Sequence, residues 1–138
     1  MWTPLILALG LTCPNLTGVY DNDPISGEQN DLLVITQKGC WELTHDSLQV
    51  TEDGRHRLSY SRRETLDGSH SADPENPTTD RVAYFAGNTF ILIVTSASSA
   101  PIEYHWSPNS DGDLRLARGY RDAKGEFIQT QERTLPKL

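Results

Sequence analysis

The stretch RVAYFAGNTFILIVTSASSAPIEYHWSPNSDGDLRLARGYR, residues 81–121, decides the fold. Runs rich in Val, Ile, Leu, Tyr and Phe are separated in it by Gly87-Asn88 and Asp111-Gly112, dipeptides that suit tight turns because glycine adopts positive φ at no steric cost. Inside the runs, polarity alternates. Ile102, Tyr104 and Trp106 fall on one face, with Glu103 and His105 on the other. Leu114, Leu116, Arg118 and Tyr120 share a face opposite Arg115, Ala117, Gly119 and Arg121. A period of two over short runs marks strands, and no window of the chain carries an apolar stripe at helical spacing. Phe90-Ile91-Leu92-Ile93-Val94 departs from alternation and predicts a strand buried on both faces, or covered by a loop or by the N-terminal segment.

Working outward, strands are predicted at 16–20, 31–37, 40–45, 47–52, 55–65, 81–86, 89–96, 102–107, 113–121 and 126–134. Lys38-Gly39, Asp53-Gly54 and Lys124-Gly125 supply further turns. In 58–63, Leu58, Tyr60 and Arg62 oppose Arg57, Ser59, Ser61 and Arg63. Residues 66–80, LDGSHSADPENPTTD, read as one long polar loop, either solvated slack or a partner-binding element, and a second loop covers 22–30. Hairpin after hairpin predicts an all-β fold, an antiparallel up-and-down meander of roughly eight to ten strands that closes into a small barrel to hide its edges.

The chain has 138 residues, enough for one domain with an independent core. Twelve Lys and Arg against nineteen Asp and Glu give a net charge of −7, which argues against nucleic acid as a partner because phosphate contact needs a basic face. Arg55, His56, Arg57, Arg62 and Arg63 make a local basic stretch, read as a sheet edge protected against aggregation. Residues 2–11, WTPLILALGL, are too short for a membrane-spanning helix but match the apolar region of a secretory signal, although no Lys or Arg precedes Lys38. Segment 1–12 is therefore read as a signal peptide or an apolar N-terminal segment, and 13–138 as a single barrel domain exported from the cell. Cys13, which ends the run, is a candidate for lipidation, which would be the one route to a membrane. The other reading is a disulfide with Cys40 in an oxidising compartment; two separate buried thiols are the third.

Asn15-Leu16-Thr17-Gly18-Val19-Tyr20 resembles the first strand of the calycins, the lipocalin and avidin-like barrels, which begin Leu-x-Gly-x-Trp; Tyr20 stands where Trp is usual. The resemblance implies a lipocalin-like up-and-down barrel whose interior holds a small apolar ligand. It also implies an Arg from a late strand packed over the first-strand aromatic, for which Arg118 and Arg133 are the candidates. The other lipocalin signature blocks and the tryptophan platform of a biotin binder are absent.

Motifs for chemistry are sparse. His45, His56, His70 and His105 form no HxH or HxxxH pair and there is no CxxC, so no metal site and no cofactor is implied. Asn109-Ser110-Asp111-Gly112-Asp113 reads as a hairpin turn, because its Gly stands in the wrong place for a calcium loop. No nucleophile elbow and no phosphate loop appear, and no catalytic residue is assigned. Arg118 is the suggestive polar residue: a guanidinium on an apolar face needs a partner, either an internal carboxylate or a ligand carboxylate held by two parallel hydrogen bonds, or else it snorkels at the barrel rim. The candidate ligand-binding residues are Arg118, Tyr120, Tyr104, Trp106, Tyr60 and Leu116. Together they predict a non-catalytic protein binding a small apolar or amphipathic ligand in the barrel or at its mouth. The alternative is a protein-binding module or exported inhibitor that uses the 66–80 loop over a filled barrel; an enzyme with a barrel-borne site is a third class. A cavity of ~300 Å³ or more lined by Tyr60, Trp106 and Leu116 favours the first.

Overall fold

The computed structural model describes residues 12–138, so the predicted signal peptide or apolar segment at 1–12 lies, apart from Thr12, outside the described residues. Ten strands and no helix are found among the described residues: β1 (Gly18–Asp21), β2 (Asp31–Lys38), β3 (Glu42–Val50), β4 (His56–Thr65), β5 (Asp67–Ala72), β6 (Asp80–Ala86), β7 (Thr89–Thr95), β8 (Ile102–Pro108), β9 (Leu114–Arg121) and β10 (Phe127–Leu135). The turn glycines at 39, 54, 87, 112 and 125 all have positive φ, so the punctuation expected of the hairpins is present. At Asn109-Asp113 the Asn109 side-chain oxygen accepts the Asp111 and Asp113 backbone N–H groups, a turn closed by its own side chain.

Two predicted elements are corrected. The segments 40–45 and 47–52 form one strand, β3, because Asp46 lies on its outward face and breaks nothing. The polar stretch 66–80 is not one loop: 67–72 is β5, paired with β6, and only 73–79 is irregular. Composition hid β5 because all six of its residues are exposed, so it carries no apolar signal.

Every ladder is antiparallel between sequence neighbours, as in a meander, but no sheet closes into a barrel. β1-β2-β3-β4 form one sheet and β10-β9-β8-β7-β6-β5 the other. Leu66 alone separates β4 from β5, yet the two strands do not pair. Side chains of β4 and β6 join across this break instead. On the opposite side the tail after β10 meets the free edge of β1: Asp21 N–H donates to the Pro136 carbonyl at 2.9 Å and Leu138 N–H to that of Val19 at 2.8 Å. The inward faces share one core, with Leu16, Tyr20, Leu33, Ile35 and Leu43 from the first side meeting Phe90, Leu92, Trp106, Leu114 and Leu135 from the second. β7 is buried on both faces near Phe90, as its pattern requires. Its outward Ile91 is flanked across the ladders by Tyr84 and His105. His105 in turn stacks on Phe127 at 3.9 Å between centroids.

Two bulges decide which side chains face inward. In β10 the register slips at Thr130. Phe127 and Gln129 oppose Arg121 and Gly119, whereas Gln131, Arg133 and Leu135 oppose Arg118, Leu116 and Leu114. The extra residue inverts the parity of the strand, so that Gln131 and Arg133, although exposed, border the space between the sheets and Leu135 enters the core. In β4 the slip falls at Ser59, so Tyr60, Arg62 and Glu64 lie opposite Ser47, His45 and Leu43, while Leu58 pairs with Leu48. The expectation that Leu58 shares the Tyr60 face fails for this reason, and Leu58 is largely exposed. The basic stretch divides likewise: Arg55, Arg57 and Arg63 are exposed along an edge strand, but Arg62 is buried.

Cys13 and Cys40 are joined by a disulfide that ties the chain before β1 to the β2–β3 turn. A lipid thioether on Cys13 would require that bond to be absent. The bridge spans 27 residues, for which chain entropy gives about 3–4 kcal/mol, so Cys13→Ser with Cys40→Ser should lower unfolding stability in urea by about that amount. Gly119 is required for packing. A Cβ there would stand 2.0 Å from the Ile128 carbonyl oxygen, immediately before the bulge. Gly119→Ala should therefore cost about 2–3 kcal/mol in the same measurement, with loss of the amide protection of β10 in hydrogen exchange.

Candidate functional site

Between the sheets lies a cavity of about 520 Å³. Five of the six predicted ligand residues line it: Tyr60 from β4, Tyr104 and Trp106 from β8, and Leu116 and Arg118 from β9. Tyr120 does not; it is two residues further along β9, pairs with Ile128, and is exposed. Leu33 and Leu92 add apolar wall from β2 and β7. The period-two placement of Tyr104, Trp106, Leu116 and Arg118 thus leads to one space, because β8 and β9 are ladder neighbours with Trp106 opposite Leu116 and Tyr104 opposite Arg118.

Sequence reading missed His45 and Arg81, which also border the cavity. Both follow alternation: Leu43, His45 and Ser47 share the inward face of β3, and Arg81 precedes Ala83 and Phe85 on that of β6. Splitting β3 at Asp46 concealed the first. The second is a charge at the head of a strand, where solvent exposure is the usual fate.

These two residues belong to a buried network that spans the break between β4 and β6. Arg81 donates from Nε and Nη2 to the two Glu64 carboxylate oxygens at 3.0 and 2.6 Å, a bidentate pair. Its Nη1 donates to Asp73 at 3.1 Å. Arg62 makes a second bidentate pair with Asp73, at 3.2 and 3.1 Å. His45 Nε2 bonds Glu64 at 2.7 Å. All five side chains are buried, and Glu64 is only 2% exposed. Two guanidinium groups face two buried carboxylates, and Arg62 also pairs at 3.2 Å with the exposed Glu75. Burial alone would raise the Glu64 pKa, but hydrogen bonds from Arg81 and His45, with the Arg81 charge, hold it at about 2. Burial raises the Tyr60 phenol, opposed by the nearby Arg81 and Arg62 charges. Tyr60 packs between the Arg62 guanidinium, 4.4 Å from its ring centroid, and the His45 ring at 5.6 Å. His45 also meets the Trp106 ring edge-on at 5.1 Å.

The cavity margin differs. Arg118 is exposed and lies over the Tyr104 ring, 5.7 Å from its centroid. Among the described residues it has no carboxylate within ion-pair distance, so the internal ion pair weighed for it is not formed. Nor does it cover Tyr20, whose hydroxyl donates to the Leu16 carbonyl at 2.8 Å. Arg133, the other candidate for that place, donates to the Asn22 carbonyl and side-chain oxygen. Among the described residues no group of three His, Cys, Asp or Glu side chains is placed to hold a metal ion.

The cavity has an apolar and aromatic wall, a polar end of paired charges and a free cation at its margin. Such a site can retain an amphipathic molecule by burying its apolar part and bonding its polar ends.

The network makes stability depend on pH in a definite direction. Glu64 has a folded value near 2 against an ordinary value of 4.5, so its contribution is present above about pH 4.5 and disappears as pH falls toward 2. That shift corresponds to something on the order of 3 kcal/mol. Urea unfolding of Glu64→Gln should show a loss of about 3–5 kcal/mol at pH 7, from an unbalanced buried guanidinium, and a flatter dependence between pH 4.5 and pH 2. The paired change Glu64→Leu with Arg81→Met should cost less than the sum of its single changes. No protein-family model matches the chain, and no curated protein matches its sequence.

Proposed function

We infer that this is an exported, non-catalytic binding protein that holds a small amphipathic acid between its two sheets. The observation that carries the reading is the 520 Å³ cavity, which combines Trp106, Tyr104 and Leu116 with the unpaired Arg118 at its margin. Its volume falls in the range of about 300–1,000 Å³ that suits small organic ligands. Export is supported by the Cys13–Cys40 disulfide, since such bonds persist in oxidising compartments. The Leu16-x-Gly18-x-Tyr20 opening supports a calycin-like relationship, in which the side-chain seam at β4 would be a departure from a closed barrel. The competing reading, a protein-binding module, needs a filled interior and a free 66–80 loop; the cavity and the buried Asp73 weigh against it.

Trp106 is buried against the cavity while Trp41 is 63% exposed, so fluorescence reports on the site once Trp2 and Trp41 are replaced by Phe. Titration with fatty acids and retinoids should produce saturable quenching. Arg118→Met should weaken acids about tenfold or more and leave the corresponding alcohols unchanged, since a charge-assisted pair is lost only with the acids. Acid affinity that ignores Arg118→Met would remove the guanidinium from the site. No saturable binding of any panel member would sink the reading.

A further inference from the structure

We propose that the polar head of the ligand is a phosphate monoester, held at the cavity margin by Arg118 and Arg133 together. The proposal rests on the binding role of the cavity and specifies the ligand class. Of the nine arginines in the chain, six form an ion pair with a carboxylate. Among the described residues Arg57, Arg118 and Arg133 do not. Arg57 lies on the edge strand β4, whereas the other two border the same cavity. In a chain of net charge −7, two such cations at one margin are a local exception. Register explains the juxtaposition. Arg118 stands opposite Gln131, and Arg133 is two residues beyond Gln131 on the same face of β10. Diagonal neighbours of this kind are about 7–8 Å apart. The bulge at Thr130 is what places Arg133 on the Arg118 face.

Both guanidinium groups keep donors for an anion. Arg133 uses Nη1 and Nη2 on the Asn22 carbonyl and side-chain oxygen, at 3.2 and 2.9 Å. Those two bonds tether it to a residue that borders the same cavity and leave the rest of its five N–H groups uncommitted. The Arg118 guanidinium donates to no described residue and rests only against the Tyr104 ring, so it is free to turn toward Arg133. Glu132 also borders the cavity, but its carboxylate is committed to Arg115 at 2.7 Å and Gln129 at 2.8 Å. Charge and acceptor number then select the head group. A fatty carboxylate brings one charge and two oxygens, which a single guanidinium fork satisfies. A phosphate monoester brings a charge of roughly −1.5 to −2 at pH 7 and three terminal oxygens, and so matches two guanidinium groups. Tyr104, Trp106 and Leu116 take its apolar chain. The class is an amphipathic phosphate monoester.

The test compares monododecyl phosphate, dodecanoate and inorganic phosphate by titration calorimetry on the full chain at pH 7. A second charge-assisted partner predicts about tenfold or more tighter binding of the phosphate ester than of dodecanoate. Arg133→Gln, an exposed substitution, should weaken the ester about tenfold and dodecanoate far less, so that the preference collapses. Inorganic phosphate should bind much more weakly than the ester; equal affinity would make free phosphate the ligand and overturn the assignment. An independent measurement needs no variant. The ³¹P resonance of the bound ester should titrate well below the ~6 of the free ester, because two guanidinium groups favour the dianion. Equal affinities for ester and dodecanoate, or a preference that survives Arg133→Gln with the ³¹P titration unmoved, would also overturn the assignment while leaving the binding role intact. If neither amphipathic acid binds, the binding role and the assignment fall together.

Discussion

The structure depends on an ionic joint where a backbone ladder is missing. β4 and β6 face each other across a break in the meander, and Glu64, Arg81, Asp73 and Arg62 span it with two bidentate pairs and one shared contact. A ladder would bring the strands to about 4.8 Å and close the cylinder. Long side chains hold them further apart and leave the sheets as separate units around one core. Burying such a network is favourable only because it is complete; loss of one member leaves a charge that the surroundings cannot solvate. Asp73 extends the joint to the turn after β5, so a segment of highly polar composition is fixed from beneath by a carboxylate. Its flexible appearance in the sequence comes from side chains that point to water, whereas its anchorage comes from the one that does not.

The same joint gives the cavity its chemical polarity. Its buried guanidinium groups and carboxylates pair with one another, and His45 and Tyr60 bring their rings to the space between the sheets. Cations without a carboxylate partner among the described residues, Arg118 and Arg133, lie at the opposite boundary. The apolar side chains between them, Leu33, Leu92 and Trp106, belong to the shared core and also line the cavity. The separation of a polar end of paired charges from a cationic margin follows from which strands contribute: β3, β4 and β6 at one end, β8, β9 and β10 at the other.

Much of this was legible in the sequence. Glycine punctuation and period-two runs located nine of the ten strands, counting the divided β3 once, and placed Tyr104, Trp106, Leu116 and Arg118 on faces that do converge. Such information is local, since alternation and positive φ are properties of a few adjacent residues. What stayed hidden was non-local. Bulges at Ser59 and Thr130 invert strand parity without a distinctive residue to announce them, so Leu58 was assigned to the wrong face. β5 has no apolar side and reads as loop. The closure of the sheet was misjudged because it turns on whether two edges meet, and the deciding interactions link residues such as Glu64 and Arg81 whose charges suggest solvent when each is read alone. Arg118 is exposed at the cavity margin, so the apolar face it shares by alternation does not bury it, and the need for a partner argued from that face does not arise.

The extra residue in β10 also determines where the chain tolerates changes of length. The two-residue connection Gly87-Asn88 and the five-residue hairpin turns project beyond the sheets, and added residues there would lengthen a solvent-facing tip. Removing Thr130 is a different operation. It would take out the bulge while Gln131, Arg133 and Leu135 keep their partners Arg118, Leu116 and Leu114 and so their faces, whereas loss of Glu132 with the preceding pairs kept would turn Leu135, fully enclosed in the core, toward water. A single codon lost from the paired run after the bulge would disturb the interior more than several gained at a hairpin tip.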